Sequence, residues 1–252
     1  MPSPLLDFPA LAMVLAGALV AGFTTGFAGF GTALVASGLW FHALPPAMVP
    51  PLAVLASVMG QIVGLMTVRR AFDWTRTLPY LIGGALGVPL GVVALAAVSP
   101  FLLRVSIGIF LVAYPAHLLL HRRAWQIGTW GGKTADGIVG LGGGFLGGFA
   151  GLSGPLPLIW LQLRGGAPDA QRATYQPFNL IVLALAGIGM SVSGQVTSPV
   201  LWMALLCLPA TLIGAWLGAR IYVGVSPRAF QRVILGLLFL SGCILIVQAI
   251  AS

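Results

Sequence analysis

Apolar runs, many of about 20 residues, follow one another along almost the whole chain; that length carries a helix across a hydrocarbon core. They fall near 9–25, 31–43, 49–68, 77–97, 101–120, 135–148, 154–164, 172–192, 199–222 and 227–250, and the breaks carry Gly, Pro or charge. Only 6% of the 252 residues are charged and 59% are hydrophobic, whereas a soluble domain is about one quarter charged. The pattern predicts an all-α, polytopic helical membrane protein with no soluble domain. Residues 1–7 hold no Lys or Arg, so the first run reads as a membrane segment rather than as part of a signal peptide.

Two breaks share a sequence. Residues 24–34 read TTGFAGFGTAL and residues 146–156 read LGGFAGLSGPL, with Gly-Phe-Ala-Gly repeated at an offset of 122. A second pair, LGVPLGVVALAAVSP at 86–100 and IGAWLGARIYVGVSP at 213–227, matches at six of fifteen positions with an offset of 127. Two motifs in one order at nearly one spacing predict an internal repeat, a common design in membrane carriers. The expected organisation is residues 1–123 as a first transmembrane repeat, 124–134 as a cytoplasmic loop and 135–252 as a second repeat.

The net charge of +8 would point to nucleic acid in a soluble protein. Here the basic residues sit at segment ends, where they act as orientation signals, and no nucleic-acid partner is expected. With five segments per half, and the first two forming a hairpin around the glycine motif, 11 of the 12 Lys and Arg fall on or near one side, with Arg104 opposite. Positive residues mark the cytoplasmic side. The expectation is therefore two inverted repeats of five segments, with both ends outside.

Runs 9–25 and 31–43 span about 25 and 20 Å, and 135–148 and 154–164 less, against a core of about 30 Å. Each hairpin is thus expected to turn inside the membrane, and inversion brings the two turns together near the midplane. A new helix is expected to start near Phe30–Ala33 and again near Ser153–Leu156, with Thr32 and Ser153 as candidate caps. Uncapped N–H groups and the positive dipole end make helix starts ready anion sites. Small residues also serve plain helix packing; Gly83, Gly87 and Gly91 on one face of 84–91 and its flank are read that way.

The acidic residues are Asp7, Asp73, Asp136 and Asp169, all at segment ends or in loops, and there is no Glu. Proton and cation carriers place carboxylates within the membrane, so an anion carrier is favoured. Gln176 and Asn179, in TYQPFNL (174–180), are the amides that stand out within apolar runs, and their N–H₂ groups can donate to an anion. Asn179 serves equally well as interhelical glue. Ser57 and Gln61 are further candidates. His42, His117, His121 and the seven Trp read as interfacial. Cys207 and Cys243 lie in apolar runs and read as small buried hydrophobes. No enzyme motif, metal ligand set or cofactor is expected.

The glycine motif early in each half (22–34 and 144–156) and the Ser-Pro before the last helix of each half (99–100 and 226–227) resemble the sulfite exporter TauE/SafE family. The family's Gly-Gly-Gly run survives as Gly142–Gly144, whereas the first motif reads Gly-Phe-Gly-Thr. The resemblance implies export of small sulfur-containing anions such as sulfite and sulfoacetate, from a multi-pass protein of the cell inner membrane and possible homodimer. The expected substrate-binding residues are Thr25, Phe27, Phe30, Gly31, Thr32, Phe149, Leu152, Ser153, Gly154, Gln176 and Asn179. The alternative is an anion channel of the same fold. With no carboxylate to couple a cation, export is expected to draw on the membrane potential, about 2.3 kcal/mol per charge per 100 mV and twice that for a dianion.

Overall fold

A computed structural model describes residues 7–68, 73–120, 127–165 and 168–221, with separate helical positions between 235 and 250. The side chains at 28, 64–68, 118–120, 168 and 169 are outside that description. The described residues are helical: α1 (Phe8–Ala28), α2 (Thr32–Ala43), α3 (Val49–Val68), α4 (Trp74–Ala97), α5 (Pro100–Leu120), α6 (Gly132–Ala150), α7 (Pro155–Arg164), α8 (Pro168–Val192) and α9 (Ser198–Ile221). Among the described residues, six spans are long and apolar enough to cross a membrane, and the protein is a multi-pass membrane protein. Most of the tenth expected segment, 227–250, lies outside the described residues, as do Arg69, Arg70, Arg122, Arg123, His121, Arg228 and Arg232.

The helices begin and end close to the apolar runs, with one instructive difference. The arms entering the hairpins are longer than expected. α1 has 21 residues and α6 has 19, about 31 and 28 Å. The returning arms alone are short: α2 has 12 residues and α7 has 10, about 18 and 15 Å. The reason is local. The helix runs on through the Gly-Phe-Ala of each motif and stops where Gly29 and Gly151 adopt left-handed φ of 81° and 73°, the usual C-terminal stop. Their N–H groups close onto Thr25 O at 2.7 Å and Gly147 O at 2.9 Å. A smaller difference occurs at α4, which starts at Trp74 because the Asp73 carboxylate accepts the Arg76 N–H at 3.1 Å and caps the helix ahead of the apolar run.

Two glycine seams organise the packing. In the first, Gly22 and Gly26 of α1 press on Thr211 and Ala215 of α9, while Gly214 and Gly218 of α9 press on Leu19 and Phe23 of α1. In the second, Gly144 and Gly148 of α6 press on Gly84 and Val88 of α4, while Gly87 and Gly91 of α4 press on Leu141 and Phe145 of α6. At each position a Cβ would collide with the carbonyl opposite, so only glycine permits this close approach. The packing role expected for Gly83, Gly87 and Gly91 is what they perform, since Gly83 meets the carbonyl of Gly137 in the same way. The four contacts of the first seam each map onto a counterpart in the second when α1 is shifted by 122 residues onto α6 and α4 by 127 onto α9. These are the offsets of the two sequence motifs.

The same contacts give helix directions. Residue numbers rise together across both seams, so α1 runs parallel to α9 and α4 parallel to α6. Phe178 and Val182 lie over Gly84, and Val92 lies over Gly189, which makes α8 parallel to α4. Within the hairpins the sense reverses. Trp40 Nε1 donates to Val14 O at 3.0 Å near the open end of α1–α2, while Gly31 sits beside Thr24 at the turn. Gly143 sits beside Pro157 and Gly147 beside Ser153, so α7 folds back antiparallel along α6.

Candidate functional site between the two hairpin turns

The tips of the two hairpins touch. A Cβ on Gly151 would lie 3.2 Å from Ala33 Cβ, and one on Gly154 would lie 3.2 Å from Phe30 Cβ. Between the tips is a small cavity of about 20 Å³, lined by residues 30–34 and 151–155 of the hairpins, Ser57 and Gln61 of α3, and Asn179 and Leu183 of α8. That is room for about one or two waters.

Two helix starts face this space. The N-cap residues are Gly31 and Gly154, and neither helix start has a side-chain cap. Thr32 and Ser153, expected as caps, are not. Thr32 is already the first helical residue, and its hydroxyl pairs with that of Thr25. Ser153 lies one residue before the cap and donates to Asn179 Oδ1 at 3.1 Å. At the first turn glycine wins the cap position because the chain reverses there: Gly31 has φ of 108°, which a residue with a Cβ rarely adopts. The first-turn N–H groups thus lack any side-chain acceptor, and each start carries the positive end of its helix dipole. α7 offers fewer donors than α2, since Pro155 and Pro157 have no N–H.

The side chains around the cavity leave polar atoms unpaired. Ser57, Gln61 and Asn179 are at most 3% exposed. Gln61 Nε2 donates to Gly29 O at 3.2 Å, and Gln61 Oε1 has no partner. Asn179 Oδ1 is occupied by Ser153, and Asn179 Nδ2 has no partner. Ser57 Oγ has none either. A buried unpaired polar group destabilises a protein by about 1–3 kcal/mol, so three around one small cavity mark a place suited to a polar ligand.

Of the sequence candidates, Phe30, Gly31, Thr32, Leu152, Ser153, Gly154 and Asn179 line the cavity together, and Thr25 joins them through Thr32. Three others do not. Phe27 stacks on Phe23 with centroids 6.2 Å apart, and Phe149 on Phe145 at 5.9 Å. These pairs flank the glycine seams: Gly218 presses on Phe23, and Gly91 on Phe145 and Phe149. The i, i+4 spacing of the phenylalanines, one residue behind each seam glycine, was the available signal. Gln176 is fully buried and lies behind the first turn, where its Nε2 would be 2.8 Å from a Cβ on Gly29; both its polar atoms are unpaired.

Two charged residues depart from expectation. Arg172, one of the basic residues read as orientation signals at segment ends, is only 7% exposed and reaches Gly26 O at 3.3 Å, at the C-terminal end of α1. A cation there complements the negative end of the α1 dipole. Asp136 lies at a segment end, as expected, being the fifth residue of α6, but it is only 8% exposed. Its Oδ1 accepts from Tyr80 Oη at 2.6 Å and Trp160 Nε1 at 2.7 Å, and forms an ion pair with Arg164 Nε at 2.8 Å. Arg164 also donates to the carbonyl oxygens of Gly128, Trp130 and Gly132. The pair closes the open end of the α6–α7 hairpin, away from the cavity.

A family model described as Sulfite exporter TauE/SafE matches residues 14–245. Nothing matches among curated proteins or among solved structures.

Proposed function

Because the chain belongs to the TauE/SafE sulfite exporter family, we propose that it exports a small anion, sulfite or an organosulfonate such as sulfoacetate, by alternating access at the cavity between the hairpin turns. The observation that carries this reading is the convergence of two helix starts without side-chain caps and three unpaired buried polar atoms on one space. Such a site holds an anion by N–H dipoles and neutral side chains, with no lysine or arginine in its lining. It is also small, so the tips must part for a sulfite ion to enter, as alternating access requires. The repeats are read as inverted: α1 is parallel to α9, α4 is parallel to α6 and α8, and both hairpins double back. In a chain whose crossings alternate, these directions set α1 opposite to α6. Residues 1–123 and 135–252 form the two repeats, joined at 124–134, in the inner membrane of the cell.

The test is counterflow in proteoliposomes. Labelled sulfite outside should accumulate transiently against unlabelled sulfite inside and should saturate. Flux without saturation or counterflow would assign the fold to a channel. No flux of sulfite or sulfoacetate in either direction would refute the reading.

A further inference from the structure

We infer that, when the cavity takes sulfite, it takes it in the monoprotonated form, as hydrogen sulfite. The inference rests on the reading of the cavity as the transport site, and it concerns which ion that site selects.

The argument begins with Gln61. Its amide has one orientation open to it. Gly29 O can only accept, so the group 3.2 Å from it is the N–H₂, and the carbonyl Oε1 is the end left without a partner. Oε1 is a pure acceptor, and Gln61 is 3% exposed in the lining of the cavity. A fully deprotonated oxyanion brings only acceptors. Placed here it would satisfy Asn179 Nδ2 and the helix-start N–H groups, but it would set its negative oxygens against Gln61 Oε1. A hydroxyl on the anion removes that conflict: it donates to Gln61 Oε1 while the remaining oxygens accept from Asn179 and the backbone. Ser57, with a hydroxyl that both donates and accepts, fits either role. Charge points the same way. The lining of the cavity holds no ionisable side chain, and the desolvation of an ion grows with the square of its charge, so a neutral site disfavours a dianion steeply. Sulfite passes between its dianion and hydrogen sulfite near neutral pH, so both forms are on offer to such a site.

Methanesulfinate separates the two explanations of binding, since a methyl stands where hydrogen sulfite has its hydroxyl, at the same charge and nearly the same size. Binding of each anion to the purified protein is measured by thermal shift and by competition against labelled sulfite, across the pH range in which sulfite titrates. The expected result is that the apparent affinity for total sulfite rises as pH falls, in step with the hydrogen sulfite fraction. Methanesulfinate should bind roughly tenfold or more weakly, as is usual when a site built for a hydroxyl meets an analogue lacking it, and without pH dependence. Gln61→Met, which removes the acceptor, should bring the two anions to parity. Affinity that rises with pH, or wild-type protein that binds both anions equally, would overturn the inference while leaving the site in place. Binding of neither anion at any pH would overturn this inference, and failure of the same preparations to bind sulfoacetate as well would overturn the site reading with it. The wild-type pH profile decides the matter even if Gln61→Met does not fold.

Discussion

Asn179 shows how much a single side chain does at this site. It joins the second hairpin to α8 through Ser153, and it presents an unpaired N–H₂ to the cavity. Asn179→Ala removes both functions, and anion affinity should fall by about 1–3 kcal/mol, the worth of a hydrogen bond to a charged group; unchanged affinity by thermal shift would take Asn179 out of the site. The two cap glycines separate strain from occupancy. Gly31 has φ of 108°, so any Cβ there is strained, whereas Gly154 has ordinary helical φ of −75°. Gly154→Val should therefore fold but fill the cavity, abolishing counterflow with intact size-exclusion behaviour. Gly31→Val should lower the melting temperature, at a cost of about 1–3 kcal/mol. Finding both variants equally stable would contradict this division.

The two hairpins are built alike but fastened differently. In each, a tryptophan on the returning arm bonds back to the entering arm: Trp40 to the carbonyl of Val14, and Trp160 to the carboxylate of Asp136. Asp136 adds the ion pair with Arg164, whose side chain is 9% exposed. Breaking a buried pair by removing one partner typically destabilises by about 3–5 kcal/mol. Arg164→Leu should thus lower the melting temperature sharply, and Asp136→Asn in the same chain should restore part of the loss; no recovery in the double variant would mean that Arg164 acts through its three carbonyl contacts instead. The helices themselves were legible in the sequence, because apolar length and Gly or Pro breaks are one-dimensional signals. The pairing of motifs at offsets of 122 and 127 was legible too, but a packing role was read only for Gly83, Gly87 and Gly91 and not for the other seam glycines. What was hidden is the surroundings of each side chain. Phe27 lies two residues before Gly29 and Phe30 one residue after it, yet Phe27 stacks on Phe23 along α1 while Phe30 lines the cavity, because the helix stops at Gly29 between them. Arg172 and Asp136 looked like rim residues, since charge near a segment end reads as interfacial. Their burial depends on which neighbour packs against that end, and sequence spacing does not record it.

At the scale of the whole molecule, the proposed inverted repeat bears on which ends face which side of the membrane. The arrangement of α1 with α9 and of α4 with α6 is reciprocal; under the proposed inverted topology, with the basic residues on the cytoplasmic side, positions 3 and 252, both outside the described residues, would lie on the external side. Ser3→Cys and Ser252→Cys should each react with an impermeant maleimide on intact cells, while Thr129→Cys, exposed in the 127–131 turn, should react only after the cells are opened. Protection at position 3 or 252 together with labelling at 129 would reverse the topology. The energy source follows from what the site lacks. Its lining contains no carboxylate that could bind sodium or a proton, and Asp136 is already committed to Arg164. On the proposed reading, an anion held by dipoles and amides would cross with its charge uncompensated. In a cell that is negative inside, each charge is driven outward by about 2.3 kcal/mol per 100 mV, roughly a fiftyfold concentration ratio at equilibrium. Proteoliposomes loaded with sulfite, with potassium and valinomycin setting the voltage, should show export that accelerates as the interior is made negative. They should also carry about one charge per sulfur, measured as current against flux, if hydrogen sulfite is the transported ion. Two charges per sulfur would restore the dianion. Export indifferent to voltage but dependent on an imposed sodium gradient would show that a cation travels with the anion, and that the neutral site is completed by a coupling ion.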